Sequence, residues 1–232
     1  MARYTIAGLQ VEMTVTGRTQ TQAEPYLSRD TGEADITLTY DIPQLMALNP
    51  QLTDPDIVQY LGTGALFARK LLEFSGSYLH ASAVLLDGKA YLFSAPSGTG
   101  KSTHTEKWCR LFGAQLLNDD KPALRFVDGI PMAYGTPWSG KHDLSIPMGV
   151  PLGGIAFLKR GDTNAIRRLS PREAVGLFMS QSLWRLTYLE AMERQLAFAD
   201  QLLQKIPVWE LTCRNDDDAA RVSRQAMTAV EE

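Results

Sequence analysis

Lys101, Ser102 and Thr103 close the run Tyr-Leu-Phe-Ser-Ala-Pro-Ser-Gly-Thr-Gly-Lys-Ser-Thr at residues 91–103, in which an apolar stretch gives way to small residues and then to a helix start. A polyphosphate needs backbone N–H groups curled around it, no side chains in its way, and the positive end of a helix beneath it. Ala95, Pro96, Ser97, Gly98, Thr99, Gly100, Lys101, Ser102 and Thr103 are therefore expected to form a nucleotide-binding loop. In the pattern G-x-x-x-x-G-K-[ST] the lysine reaches the terminal phosphates and the next hydroxyl holds magnesium, which makes ATP and Mg2+ the expected substrate and metal. Ala95 stands where the pattern has its first glycine, one small residue for another.

The flanks decide whether such a loop is positioned to work. Upstream, Ala83-Val84-Leu85-Leu86 and Ala90-Tyr91-Leu92-Phe93 surround Asp87-Gly88, a strong hairpin signal, so the loop leaves a strand. Downstream, residues 103–112 read as a helix that turns Trp108, Leu111 and Phe112 to the sheet and ends at Gly113.

A second cluster follows in Leu116-Leu117-Asn118-Asp119-Asp120. An apolar strand ending in carboxylates, just after a phosphate-loop helix, is where a magnesium ligand is wanted, and two aspartates allow two tasks: metal binding and acceptance of a proton from an attacking hydroxyl. A plain Asn-Asp-Asp turn is the competing reading of the cluster alone. Further on, the Gly-rich stretch 134–143 carries Ser139, Lys141 and Asp143; it reads as a loop that closes over the phosphates and adds positive charge, against a surface loop anchored by Trp138. Lys121 and Arg125 read as solvated or structural, and Asn215 to Asp218 as the acidic start of a helix.

Taken in order, Leu79-His80-Ala81-Ser82-Ala83-Val84, the loop and Leu-Leu-Asn-Asp-Asp resemble the catalytic domain of HPr kinase/phosphorylase and its smaller bacterial relatives, over residues 78–158. The resemblance implies the fold shared with phosphoenolpyruvate carboxykinase: an α/β domain with a mixed β-sheet and flanking helices. It also implies that His80 lies near the transferred phosphate, that Lys101 and Ser102 bind phosphate and magnesium, that Asp120 accepts the proton from the substrate hydroxyl, and that Asp119 is the metal partner. The E-x-R-G-x-G segment of the full-size enzymes is absent, with the stretch 134–143 in its place, so kinase activity is expected and reversal of the reaction is left open. A hydroxyl on a peptide or small protein, such as a serine, is the expected acceptor, with small metabolites as the alternative.

The elements around these motifs are those of a layered α/β protein. Residues 1–76 read as a strand-rich leader, with strands at 4–7, 10–15 and 35–40 around a polar stretch at 16–33, followed by a helix at 54–74; residues 77–232 read as the main domain, possible as one continuous unit with the leader. Later strands are expected at 114–117, 123–126, 154–158 and 208–211, and helices at 171–183, 188–205 and 216–230, the second with a broad apolar face suited to core packing. With 232 residues, 44% of them hydrophobic, the chain can bury a full core. A net charge of -3, with both signs spread along the chain, argues against a nucleic-acid partner, and no apolar run approaches a membrane span. The N-terminus lacks the apolar core of a secretion signal, so a cytoplasmic location is expected, and Cys109 and Cys213 read as separate reduced thiols. No segment specifies a homo-oligomer or excludes one. Two rivals to a kinase are a regulatory protein that holds or slowly hydrolyses nucleotide, and a carboxykinase acting on an oxo-acid.

Overall fold

The computed structural model describes residues 1–140, 142–182 and 189–229. The chain opens with β1 (Ala2–Ile6) and β2 (Leu9–Met13), an antiparallel hairpin, and β3 (Ile36–Leu38) adds in parallel to β2. Tyr4 and Ile6, then Leu9, Val11 and Met13, fall on one buried face, as a period of two requires. The polar stretch between β2 and β3 is not a plain loop: it holds α1 (Gly17–Ala23) and a single 3-10 turn, Glu24–Tyr26. That helix is short and buries Thr19 and Gln22 beside Ala23, so it carries no apolar periodicity to read. A second unexpected helix, α2 (Ile42–Leu48), is capped by Asp41, which accepts a hydrogen bond from the Gln44 N–H at 2.8 Å. The expected long helix is α3 (Pro55–Leu71), opened by Asp54 and by proline in its first turn, and continued by a 3-10 turn, Leu72–Phe74.

The main sheet is mixed. Among the described residues it has nine strands: β4 (Gly76–Tyr78), β5 (Ala81–Leu86), β6 (Lys89–Ser94), β7 (Gln115–Asn118), β8 (Ala123–Val127), β9 (Ile130–Tyr134), β10 (Gly149–Arg160), β11 (Ala165–Arg168) and β12 (Val208–Cys213). Their order is β4-β8-β9-β10-β6-β5-β7, with β12 also paired to β10 and β11 to β12. The predicted hairpin is present as β5 and β6, turning at Asp87 (φ 49°) and Gly88 (φ 76°). Strand β10 is longer than expected because it serves two halves of the sheet: its start pairs antiparallel with β9, and beyond a register slip near Gly153 it lies parallel to both β6 and β12. The short strands β4, β9 and β11 were not expected.

Among the described residues, four helices cover this sheet: α4 (Lys101–Phe112), α5 (Pro171–Gln181), α6 (Leu189–Lys205) and α7 (Asp217–Met227). Leu183, Tyr188 and Val230, which bound the expected helices, lie outside the described residues. Leu92 and Ile155 face a core with Phe178 and Phe198 of α5 and α6, whereas Tyr91, Phe93 and Ala156 face Trp108 of α4 and Met227 of α7. The broad apolar face expected of α6 is only partly buried: Phe198, Ala199, Leu202 and Leu203 are in the core, while Leu189, Met192 and Leu196 are exposed. At α7 the acidic start is a cap, with Asp216 accepting from the Ala219 N–H at 3.0 Å.

A third core joins the two sheets. It gathers the buried face of β1, β2 and β3 with Phe67 of α3, Tyr78 of β4, Ala123 of β8 and Trp138. This brings the N-terminal elements against the loop that follows β9. Cys109 and Cys213 are free thiols, and no helix among the described residues is long and apolar enough to cross a membrane.

Candidate active site

Strand β6 delivers the chain into the loop at residues 95–100, and α4 starts at once with Lys101. Gly98 (φ 78°) and Gly100 (φ 117°) take left-handed backbone that other residues adopt only with strain. Gly100 is the N-cap and offers no side-chain acceptor, so the first N–H groups of α4 have no side-chain cap. Lys101 is 7% exposed, and its Nζ donates to the Ala95 carbonyl at 2.8 Å and to that of Pro96 at 3.5 Å. Burial lowers its pKa, against the opposing pull of Asp120 and Asp119.

The acidic turn is shaped by Asn118. Wholly buried at the end of β7, its Oδ1 accepts from the backbone N–H of Asp120 at 3.0 Å and of Lys121 at 2.8 Å, while its Nδ2 donates to the Thr136 carbonyl at 3.1 Å. The turn read from the sequence is thus real, and it presents both aspartates. Asp119 is nearly buried; its Oδ1 accepts from the Ser82 hydroxyl at 2.9 Å, and that hydroxyl is 2.8 Å from Thr105 Oγ1 on α4. Two hydroxyls therefore tie this carboxylate to the first turns of the helix that carries Lys101 and Ser102.

Asp120 is held from two sides. His80 Nε2 is 3.3 Å from Oδ1, and the Lys121 ammonium contacts Oδ2. Burial pushes the carboxyl pKa up, but the His80 hydrogen bond and the Lys121 charge outweigh it and hold it at about 2. Of the two readings of Lys121, solvated or structural, its geometry fits the second: its side chain is 19% exposed and paired with Asp120, because residues 119–122 precede β8 and strand alternation has no meaning there. Arg125 is structural, donating to the Phe74 and Ala7 carbonyls.

His80, Lys101, Ser102, Asp119 and Asp120 line one cavity of about 450 Å3, together with Ser97, Gly98, Gly100 and Thr103 of the loop. Gly140 and His142 complete its wall from the stretch after β9. Gly140 (φ 80°) has no room for a side chain, since a Cβ there would lie 2.7 Å from the Cβ of Asp120. Of the other residues read in this stretch, Lys141 lies outside the described residues. Ser139 is wholly buried and its Oγ has no hydrogen-bond partner among the described residues; Asp143 pairs with Arg18 at 2.7 Å and accepts from Gln22 of α1. Asp143 is thus a tether to the N-terminal helix rather than a group facing the cavity. Trp138 is the expected anchor, stacked on Phe67 with ring centroids 5.2 Å apart.

A second cavity, about 460 Å3, lies along the same loop. Gly98, Gly100 and Thr103 border both cavities, and the second adds Thr99, Lys107, Arg160, Arg214 and Asn215. Arg160 donates to the carbonyls of Gly98 and Thr99, bracing the loop from β10. His104, also on this wall, is nearly buried; burial holds its pKa down at about 3, so the ring is neutral against Ser223 Oγ at 2.9 Å. Among these neighbours, sequence reading gave no role to Ser82 or His142 and missed the loop tether from Arg18. The position of Lys121 directly after the acidic pair was the one signal present.

No protein-family model matches this chain, and no curated protein matches it in sequence. Among solved structures, the HPr(Ser) kinase/phosphatase from Coxiella burnetii is similar with a TM-score of 0.38 and 13% identity, covering 66% of this chain and 99% of that one. At that TM-score the likeness is distant and bears neither the fold nor the activity of this chain.

Proposed function

We propose that this protein is an ATP- and magnesium-dependent phosphotransferase resembling a small HPr kinase, which moves the terminal phosphoryl group to a hydroxyl, such as a serine, on a peptide or small protein. The observation that carries the reading is the convergence of Lys101, Ser102, Asp119, Asp120 and His80 on one cavity at the start of α4. A plain nucleotide-holding protein has no need of a half-buried, doubly held aspartate on the same cavity as its phosphate lysine.

The nucleotide phosphates would follow the N–H groups of the loop, Ala95 to Thr103, with the terminal phosphate near Lys101 and the nucleoside toward the second cavity, which shares Gly98, Gly100 and Thr103. Ser102 and Asp119 fit magnesium by chemistry, offering a hydroxyl and a carboxylate on one cavity. Among the described residues no group of three or more His, Cys, Asp or Glu side chains could hold a metal alone, and magnesium that shares phosphate ligands needs only one or two from the protein. When bound, magnesium neutralises charge on the phosphates.

Asp120, ionised at neutral pH, takes the proton of the acceptor hydroxyl as its oxygen attacks the terminal phosphorus and the bond to the nucleoside diphosphate breaks. His80 orients Asp120, and Lys101 stabilises negative charge on the transferring group. Lys141, between Gly140 and His142 in the chain, is assigned a similar charge-stabilising role on sequence grounds. Calorimetric titration with ATP and magnesium tests the nucleotide half directly. Wild type should bind, and Lys101→Ala should weaken binding by about a hundredfold, as loss of a charge-assisted contact implies; equal affinity in both proteins would remove the loop from the reading.

A further inference from the structure

We infer that the small aromatic pocket between α3 and Trp138 receives an apolar side chain that lies beside the acceptor hydroxyl on a peptide or protein substrate. This rests on the phosphotransferase reading only for the need of an acceptor; the pocket itself is a separate feature. It has a volume of about 170 Å3, and its walls are the rings of Tyr60, Tyr78 and Trp138, with Leu61, Gly64 and Ala65 of α3 and one charged group, Lys121.

Its position follows from shared neighbours. Lys121 lines this pocket while holding Oδ2 of Asp120, which lines the phosphate cavity. Gly140 lines that cavity too, and its N–H donates at 3.0 Å to the Tyr60 hydroxyl. A chain with its hydroxyl at Asp120 therefore has this pocket as an adjoining apolar recess.

The chemistry of the walls selects the occupant. The carbon surface open to an occupant is that of Leu61, Ala65 and the Lys121 stem, over a floor of the nearly covered rings of Tyr60, Tyr78 and Trp138, with no carboxylate or carboxamide among the described lining residues. A sugar or other polyol there would have only the Lys121 ammonium and the tyrosine hydroxyls as polar partners, so most of its hydroxyls would go unpaired, whereas an aliphatic or phenyl group gains from leaving water. The volume is below the roughly 300 Å3 at the low end for small-molecule sites, which suits one side chain rather than a whole metabolite.

The recess is also built in advance. Trp138 is wholly buried, its Nε1 donates to Thr63 Oγ1 at 3.1 Å, and a Cβ at Gly64 would stand 2.9 Å from its ring. The rim residues Leu61 and Ala65 are exposed, so an incoming chain can reach them.

The test is peptide binding followed by NMR line broadening without nucleotide, using N-acetylated, C-amidated pentapeptides with one serine flanked by Gly, Leu, Phe, Lys or Asp. Two rim variants accompany wild type: Ala65→Trp, which fills the mouth, and Leu61→Glu, which charges it; both positions are exposed, so folding should survive. Leu- or Phe-flanked peptides should bind wild type about tenfold more tightly than Gly-flanked ones, as burial of one such side chain implies, and either variant should erase that preference. Affinity indifferent to the flanking residue, or a preference that both variants retain, would overturn the assignment. Titration of the same samples with ATP and magnesium reports separately on the phosphotransferase reading: loss of nucleotide binding would refute that reading without altering the peptide result.

Discussion

His80 Nε2 stands 3.3 Å from Asp120 Oδ1, while Lys121 holds the other carboxylate oxygen. The histidine comes from the turn before β5 and the aspartate from the turn after β7, so the contact depends on the pairing of those two strands. It is the link between the sheet and the proposed proton transfer, and it sets the first expectation.

Replacing Asp120 by Asn keeps the shape and removes the base. Transfer to an acceptor should fall by about 100- to 10,000-fold, the usual contribution of a positioned general base, while affinity for ATP with magnesium changes little. His80→Gln should cost less, because it removes the orienting contact and leaves the carboxylate. Single-turnover rates alongside nucleotide titrations would separate the two effects.

The stretch after β9 is held over the site by the N-terminal helix. Arg18 donates to the Gly140 carbonyl and pairs with Asp143, and Tyr26 donates to Ser145 Oγ at 2.9 Å. Arg18→Ala should speed amide hydrogen exchange in residues 138–145 and leave exchange in β5 and β6 unchanged. Because the Arg18 pair is partly exposed, global stability should drop by only about 1 kcal/mol or less. Exchange unchanged throughout would show that the tether does not hold the loop.

Ser223 of α7 is the partner of two buried groups on α4, accepting from Trp108 Nε1 at 2.9 Å and lying 2.9 Å from His104 Nε2. Its own proton goes to the Ala220 carbonyl at 3.0 Å. Ser223→Ala should therefore destabilise the protein by about 1–3 kcal/mol, the penalty for stranding buried donors, which urea unfolding would read.

Tyr60 supplies a pH dependence. Burial first, and Asp120 and Asp143 after it, push the phenol up to about 12, against the Gly140 hydrogen bond and Arg18. An unfolded tyrosine ionises near 10, so alkali is taken up preferentially by the unfolded chain. The contribution of Tyr60 is intact below about pH 10 and is lost between about 10 and 12, on the order of 3 kcal/mol. Tyr60→Phe should flatten the decline of stability over that window; an unchanged slope would mean that the folded phenol is not shifted.

The loop, its hairpin and its helix were legible because they depend on local rules: Asp87-Gly88 turns the hairpin, and Gly98 and Gly100 allow the loop. The acidic turn was legible in type, since Asn118 performs the backbone capping that its side chain favours. What sequence could not show was the company these residues keep. Ser82 reaches Asp119, and Arg18 reaches Asp143, across separations that no local pattern encodes. Lys121 was read as solvated or structural, and its partner Asp120 was not foreseen because strand alternation was applied to a turn. The helix α1 was hidden by its polar composition, its stability resting on contacts with α3 rather than on an apolar stripe.

The most direct measurement is transfer of label from γ-labelled ATP, with magnesium, into serine peptides and proteins of a cell extract by wild type, Lys101→Ala and Asp120→Asn. The expected result is label in one acceptor that both substitutions abolish. Nucleotide bound through Lys101, with no acceptor labelled and no effect of Asp120→Asn on any turnover, would contradict the phosphotransferase mechanism and leave a protein that holds nucleotide without passing on its phosphate.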